Sequence, residues 1–155
     1  MKKRFFLILF SLAAGASFLI GCASYEPAKT HIEPVSDNPQ QALRSKLMIF
    51  GGDDHKTYLG CLNCNDLALD SIFNRYGPHG SRFASESIWN RFGVYGSRFS
   101  NNSPWSRYAT EPPVIVDGDG KFYGRFTVNR FHSERTRIPE FLKLIEALAA
   151  QVESQ

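Results

Sequence analysis

The apolar positions of this 155-residue chain change rhythm four times. Residues 5–20 form an apolar run broken only by Ser11, Gly15 and Ser17, behind the basic start Lys2-Lys3-Arg4. Its sixteen residues fall short of the ~20 that a helix needs to cross a bilayer core, so the run reads as a secretory leader rather than a membrane span. Residues 23–45 then hold Pro27, Pro34 and Pro39 among small polar and charged residues. That stretch cannot bury enough apolar surface to fold alone and reads as a flexible tether, with a root-mean-square reach of roughly 25 Å.

Strand-like patterns follow. Leu47-Met48-Ile49-Phe50 is closed by Gly51-Gly52-Asp53-Asp54, and a second apolar-rich stretch, residues 56–62, comes directly after it. The paired glycines mark the turn of a hairpin. A clearer hairpin lies downstream: Val114-Ile115-Val116, the turn Asp117-Gly118-Asp119-Gly120, then the aromatic and β-branched residues 121–128. Asp117, Asp119 and Gly120 match part of a calcium loop, but Lys121, Phe122 and Tyr123 supply none of the later oxygen ligands, which favours a plain turn. At the end of the chain Ile138, Phe141, Leu142, Ile145, Leu148, Ala149 and Val152 recur three and four apart, with Glu140, Lys143, Glu146 and Glu153 opposite. This spacing predicts an amphipathic helix with Pro139 in its first turn, where a missing N–H costs nothing. Three Glu against one Lys on its polar face favour packing on the sheet over lying on anionic lipid. The expected fold class is α+β: a small antiparallel sheet of hairpins, an irregular repeat-bearing segment and a C-terminal amphipathic helix.

The irregular segment repeats every sixteen residues. Ser71-Ile72-Phe73-Asn74-Arg75-Tyr76-Gly77 returns as Ser87-Ile88-Trp89-Asn90-Arg91-Phe92-Gly93, and Ser103-Pro104-Trp105-Ser106-Arg107-Tyr108 opens a partial third copy. The expected copies are residues 71–86, 87–102 and 103–108. Serine as N-cap and glycine as left-handed terminator predict one helical turn per copy, followed by a glycine-shaped loop. So few copies cannot stand alone, and the repeat should lean on the sheet.

Arginine and aromatic residues dominate the repeat. Arg75, Arg82, Arg91, Arg98 and Arg107 occur there with no lysine, which points to forked or stacked contacts that an ammonium cannot make. Two readings stay open. In one, each arginine stacks on an aromatic of the next copy and bonds loop carbonyls; in the other, Arg75, Arg82, Trp89, Arg91, Arg98, Trp105 and Arg107 form a surface for an anionic or aromatic partner.

Leu19-Ile20-Gly21-Cys22 behind the leader resembles the lipobox of a bacterial lipoprotein precursor at every position. The resemblance implies cleavage before Cys22, diacylglycerol on its sulfur and stable attachment to a membrane from outside the cytoplasm, because two or more acyl chains anchor where one does not. Ala23 and Ser24, with no Asp beside the cysteine, resemble an outer-membrane address if the cell is Gram-negative. Domains are expected as residues 1–21 (signal peptide), 22–45 (lipidated tether) and 46–153 (one globular domain). The formal charge of +3, from 18 Lys plus Arg against 15 Asp plus Glu, loses its three leader bases on cleavage. A neutral mature chain in that compartment gives no support for nucleic acid as partner. The expected partners are the membrane, through the anchor, and an envelope protein or glycan.

With Cys22 assigned to lipid, Cys61 and Cys64 remain as one C-x-x-C pair in a compartment that oxidises thiols. A local disulfide is the favoured reading and no cofactor is expected. Zinc stays open, with ligands drawn from Cys61, Cys64, His55, His79, His132 or Asp54, as does redox chemistry, although no strand-helix-strand frame surrounds the pair. His132 follows a strand and could meet Asp117 or Asp119. No nucleophile elbow, His-Glu-x-x-His or phosphate loop occurs, so no catalytic residue is assigned. The segment from Tyr58 to Gly124 also resembles a repeat module of bacterial proteins to which no activity attaches. The function expected is a membrane-anchored binding or envelope-structural lipoprotein rather than an enzyme. The alternative is a metal- or thiol-dependent enzyme or redox protein centred on Cys61 and Cys64.

Overall fold

The computed structural model describes residues 44–154; the leader, Cys22 and residues 23–43 of the expected tether lie outside the described residues. Both predicted hairpins are present. Strands β1 (Leu47–Gly51) and β2 (Thr57–Cys61) form the first, and β3 (Val114–Asp117) and β4 (Phe122–Arg125) the second. Both join one antiparallel sheet in the order β2-β1-β3-β4, which makes β1 an interior strand. Its register against β3 pairs Leu47 with Asp117 and Phe50 with Val114. Leu47 and Ile49 point into the core and Met48 and Phe50 away, the two-residue alternation of a half-buried strand.

Turn chemistry explains the second hairpin. Asp117 Oδ1 accepts the backbone N–H groups of Asp119 and Lys121, and its Oδ2 accepts the Tyr123 hydroxyl at 2.8 Å. Burial acts to raise the Asp117 pKa, but these hydrogen bonds outweigh it and hold the carboxyl below its ordinary value. Tyr123 responds in the opposite sense, pushed up to about 12 by burial and by the Asp117 carboxylate. The carboxylate with partial calcium-loop spacing therefore closes its own turn.

Strand β4 is shorter than its apolar pattern suggests. After Arg125 the chain leaves the sheet, with the Phe126 N–H donating to Pro113 and the Val128 N–H to Pro104. Both edges of the sheet are met by isolated bridges, Cys61 with Ser71 beyond β2 and Arg125 with Arg135 beyond β4. Such bridges satisfy part of the hydrogen-bonding row that an open edge would expose.

The C-terminal helix, α1 (Pro139–Glu153), begins as predicted, with Ile138 at the N-cap, no side-chain capping bond and Pro139 in the first turn. It buries Phe141, Ile145 and Leu148. These side chains share a single cluster with Leu47 and Ile49 of β1, Ile115 of β3, and Ile72, Ile88 and Trp105 of the repeats. Sheet, repeat segment and helix thus meet in one core. Among the described residues, no helix is long and apolar enough to cross a membrane.

The repeats differ from the expected helical turns. Residues 62–113 contain no helix or strand. Backbone bonds instead run from one residue to the third before it, as in Asn74 N–H to Ser71 and Asn90 N–H to Ser87. Nor are the repeat glycines left-handed; positive φ is confined to Gly52, Gly60, Gly120, Gly124 and His55 among the described residues. Their role is close approach: a Cβ at Gly80 would collide with the Asn74 carbonyl, and one at Gly96 with the Asn90 carbonyl. Tight backbone packing, rather than handedness, selects glycine there.

Candidate functional site

The hydrogen bonds follow the sixteen-residue period. Asn65, Ser81 and Ser97 occupy one position, their side-chain oxygens accepting the N–H of Leu67, Phe83 and Phe99. Nine residues later, Asn74, Asn90 and Ser106 do the same for Tyr76, Phe92 and Tyr108. The side-chain turns therefore recur every sixteen residues from Asn65 to Tyr108, and Ser97 and Ser106 continue the pattern of the two preceding periods. Asp66-Leu67 stands at the first of these positions, where Arg82-Phe83 and Arg98-Phe99 stand later.

Each is an Asx- or Ser-turn that hands its backbone bond to a side chain two residues back, and Ser71, Ser87 and Ser103 make a third such turn in each period by accepting the N–H of Phe73, Trp89 and Trp105; the two turns that carry an exposed apolar side chain are the corners. Asn74 and Asn90 secure their corner further, donating from Nδ2 to Ala68 and Ala84 at 3.1 Å. Between copies the chain is stitched through its interior. Ser71, Ser87 and Ser103 are fully buried, with Ile72, Ile88 and Pro104 beside them. Trp89 Nε1 donates to the Ile72 carbonyl at 2.6 Å and Trp105 Nε1 to the Ile88 carbonyl at 2.5 Å. Trp105 is 5% exposed and Trp89 half-buried, so of the two tryptophans expected on the contact surface Trp105 is an internal strut and Trp89 a partly covered one.

The opposite is true of the corner rings. Tyr76, Phe83, Phe92, Phe99 and Tyr108 are between 85% and 100% exposed, an unusual cost for large apolar groups in water. Each follows an arginine in sequence: Arg75, Arg82, Arg91, Arg98, Arg107. A sixth pair comes from outside the repeats. Asn129-Arg130-Phe131 repeats the corner geometry, with Asn129 Oδ1 accepting the Phe131 N–H and Nδ2 donating to Ala109; Phe131 is equally bare. Its identity with Asn90-Arg91-Phe92 was a signal in the sequence that the apolar strand pattern of residues 121–128 obscured.

The arginines do not stack on the next copy. Arg91 lies over Phe92 of its own corner, 5.5 Å from the ring centre. Arg98 donates to the Val152 carbonyl at 2.9 Å, supplying the last turn of α1 with a cation that the helix itself lacks. Arg107 faces Glu153 at 3.7 Å in an exposed pair. Arg75 and Arg82 make no hydrogen bond or ion pair among the described residues and point to solvent. Structural and outward-facing arginines thus coexist, divided by their distance along the array from the helix.

Cys61 and Cys64 are joined by a disulfide that closes the turn after β2. In that state neither sulfur is available as thiolate or zinc ligand. Nearby, Lys46 Nζ and the Tyr58 hydroxyl both reach Asp70 Oδ2, at 2.5 and 3.1 Å. The Lys46 bond leads in holding the Asp70 carboxyl below its usual range, while burial and the Asp70 charge raise Tyr58. His79 packs edge-on against Tyr58, and burial lowers its pKa. His55 bonds the Gly52 carbonyl within the first hairpin turn. His132 bonds Thr110 and accepts the Glu134 N–H rather than meeting Asp117 or Asp119. Among the described residues, no three His, Cys, Asp or Glu side chains converge as a metal site. What the geometry brings together is a row of arginine and aromatic side chains on a rigid, stitched frame. Compared with known proteins, the chain matches no family model, no curated protein and no solved structure.

Proposed function

We propose that this chain is an extracytoplasmic lipoprotein, attached to a bacterial membrane through Cys22, and that it works as a non-enzymatic binding or envelope-structural module. Its contact surface is the series of Arg–aromatic corners. The observation that carries this reading is the near-complete exposure of six rings, each beside an arginine and each held by a backbone-fixed turn. Exposed rings gain nothing for the fold of an isolated chain, whereas aromatic and arginine side chains are the types that concentrate binding energy at interfaces. Rigid presentation lowers the ordering cost that a partner would otherwise meet.

Two measurements test the two halves. Labelled palmitate should appear on the wild-type chain and disappear in Cys22→Ser. Capture of an envelope partner by intact lipoprotein should be lost when Arg75, Arg91 and Arg107 are replaced together by Gln, while the domain still melts cooperatively. Unchanged capture would sink the surface assignment, and collapse of the fold would make the arginines structural.

A further inference from the structure

The corners nearest the helix enclose a cleft of about 850 Å³. One wall carries three Arg–aromatic pairs, Arg98-Phe99, Arg107-Tyr108 and Arg130-Phe131. Arg135 adds a fourth guanidinium, its Nε already donating to the Thr127 carbonyl. The facing wall is α1, which contributes Glu146 and Glu153. Trp105 and Val128 also line the space, with Val152 of α1. Four cations against two anions leave the cleft electropositive, and Arg130 makes no hydrogen bond or ion pair among the described residues.

The geometry points to this cleft as the docking site for an acidic peptide segment of a partner protein, extended, with aromatic or aliphatic side chains between its carboxylates. This deepens, and rests on, the reading of the corners as a contact surface. Guanidinium forks match carboxylates bidentately, and their remaining N–H groups suit peptide carbonyls. Glu146 and Glu153 offer acceptors to peptide N–H groups, and the lining takes up apolar side chains. The volume exceeds what a free phosphate or a single carboxylate would fill and suits several residues of chain. A bilayer surface is a poorer occupant, because seating it would press Glu146 and Glu153 against anionic headgroups.

The test uses the full chain held in detergent and a fluorescent, N-acetylated octapeptide alternating Glu with Leu and Phe, followed by anisotropy. The Glu peptide should bind, a Lys-for-Glu peptide should not, and Arg130→Gln should weaken binding by about tenfold or more. Lys56→Gln, exposed in the first hairpin turn and outside the cleft lining, should leave it unchanged. Binding of the Lys peptide, indifference to Arg130→Gln, saturation by inorganic phosphate alone, or binding to vesicles of three parts phosphatidylcholine to one part phosphatidylglycerol without peptide binding would each overturn the cleft assignment. The triple replacement of Arg75, Arg91 and Arg107 is read by partner capture. Peptide failure with capture still lost in that variant rejects the cleft and keeps the corner surface.

Discussion

The indole N–H of Trp105 donates to the carbonyl of Ile88, seventeen residues earlier, as Trp89 does to Ile72. These bonds tie one copy to the one before it at the centre of the array, where no ladder of backbone bonds does so. Replacing either indole by a phenyl ring leaves a carbonyl without its donor. Trp89→Phe should cost about 1 kcal/mol and Trp105→Phe about 2–3 kcal/mol, because the Trp105 bond is buried and the ring also packs edge-on against Phe126. Urea unfolding gives both values, and equal, negligible losses would show that the copies are held together elsewhere.

Glycine is required at positions 80 and 96 by contact alone. Gly80→Ala and Gly96→Ala should each destabilise by about 2–3 kcal/mol, since a Cβ meets the carbonyl of Asn74 or Asn90 and backbone must move. Gly118→Ala serves as the control: nothing lies within 4 Å of its Cβ and the change should stay within about 0.5 kcal/mol. A similar effect at all three sites would refute the close-approach account.

Acidification should weaken the fold in two separate windows. His79 is buried, with Nδ1 lacking a hydrogen-bond partner, and burial lowers its pKa against the opposing charges of Glu86 and Asp70. The folded state therefore favours neutral imidazole. Its contribution is fully present above the unfolded value of about 6.5 and is lost as pH falls from there through the lower folded value. Asp70 and Asp117, both lowered, contribute above about 3.9 and are lost only below it. Thermal melts from pH 7.5 to 3 should show the upper loss in the wild type and not in His79→Leu, with the lower loss in both. A flat wild-type profile between pH 6.5 and 5 would exclude His79 as the source.

Reduction of the Cys61–Cys64 disulfide should cost about 2 kcal/mol and leave the domain folded, because the ring it closes is short. The comparison is urea unfolding with and without reductant, alongside the paired Cys61→Ala, Cys64→Ala variant. Unfolding on reduction alone would mean that the bond holds more than its local turn.

Much of the sheet and the helix was legible because their signals are local. Gly51-Gly52 and Asp117-Gly118-Asp119-Gly120 mark hairpins directly, and three- and four-residue spacing marks α1. The order β2-β1-β3-β4 was not, since nothing near Leu47 or Val114 records that they pair across the whole array. The repeat was visible as a repeat but not as turns. A serine that caps a helix and one that closes a turn make the same first bond, here the Phe73 N–H donating to Ser71 Oγ. What separates them is that Asn74 Nδ2 reaches back to Ala68, a contact that no propensity encodes. The chemistry of the two tryptophans suits a binding face. Their position directly after Ile88 and Pro104 instead turns Trp105 inside and half-buries Trp89, and the exposed ring comes three residues later, at Phe92 and Tyr108.

Because β1 is interior to the sheet, bonded to β2 on one side and β3 on the other, the chain ahead of Leu47 enters the domain at a strand paired along both flanks. Tension applied from that end is shared by two ladders at once, where an edge strand would peel from one. Force entering ahead of Leu47 is thereby divided between the pairing with β2 and the pairing with β3.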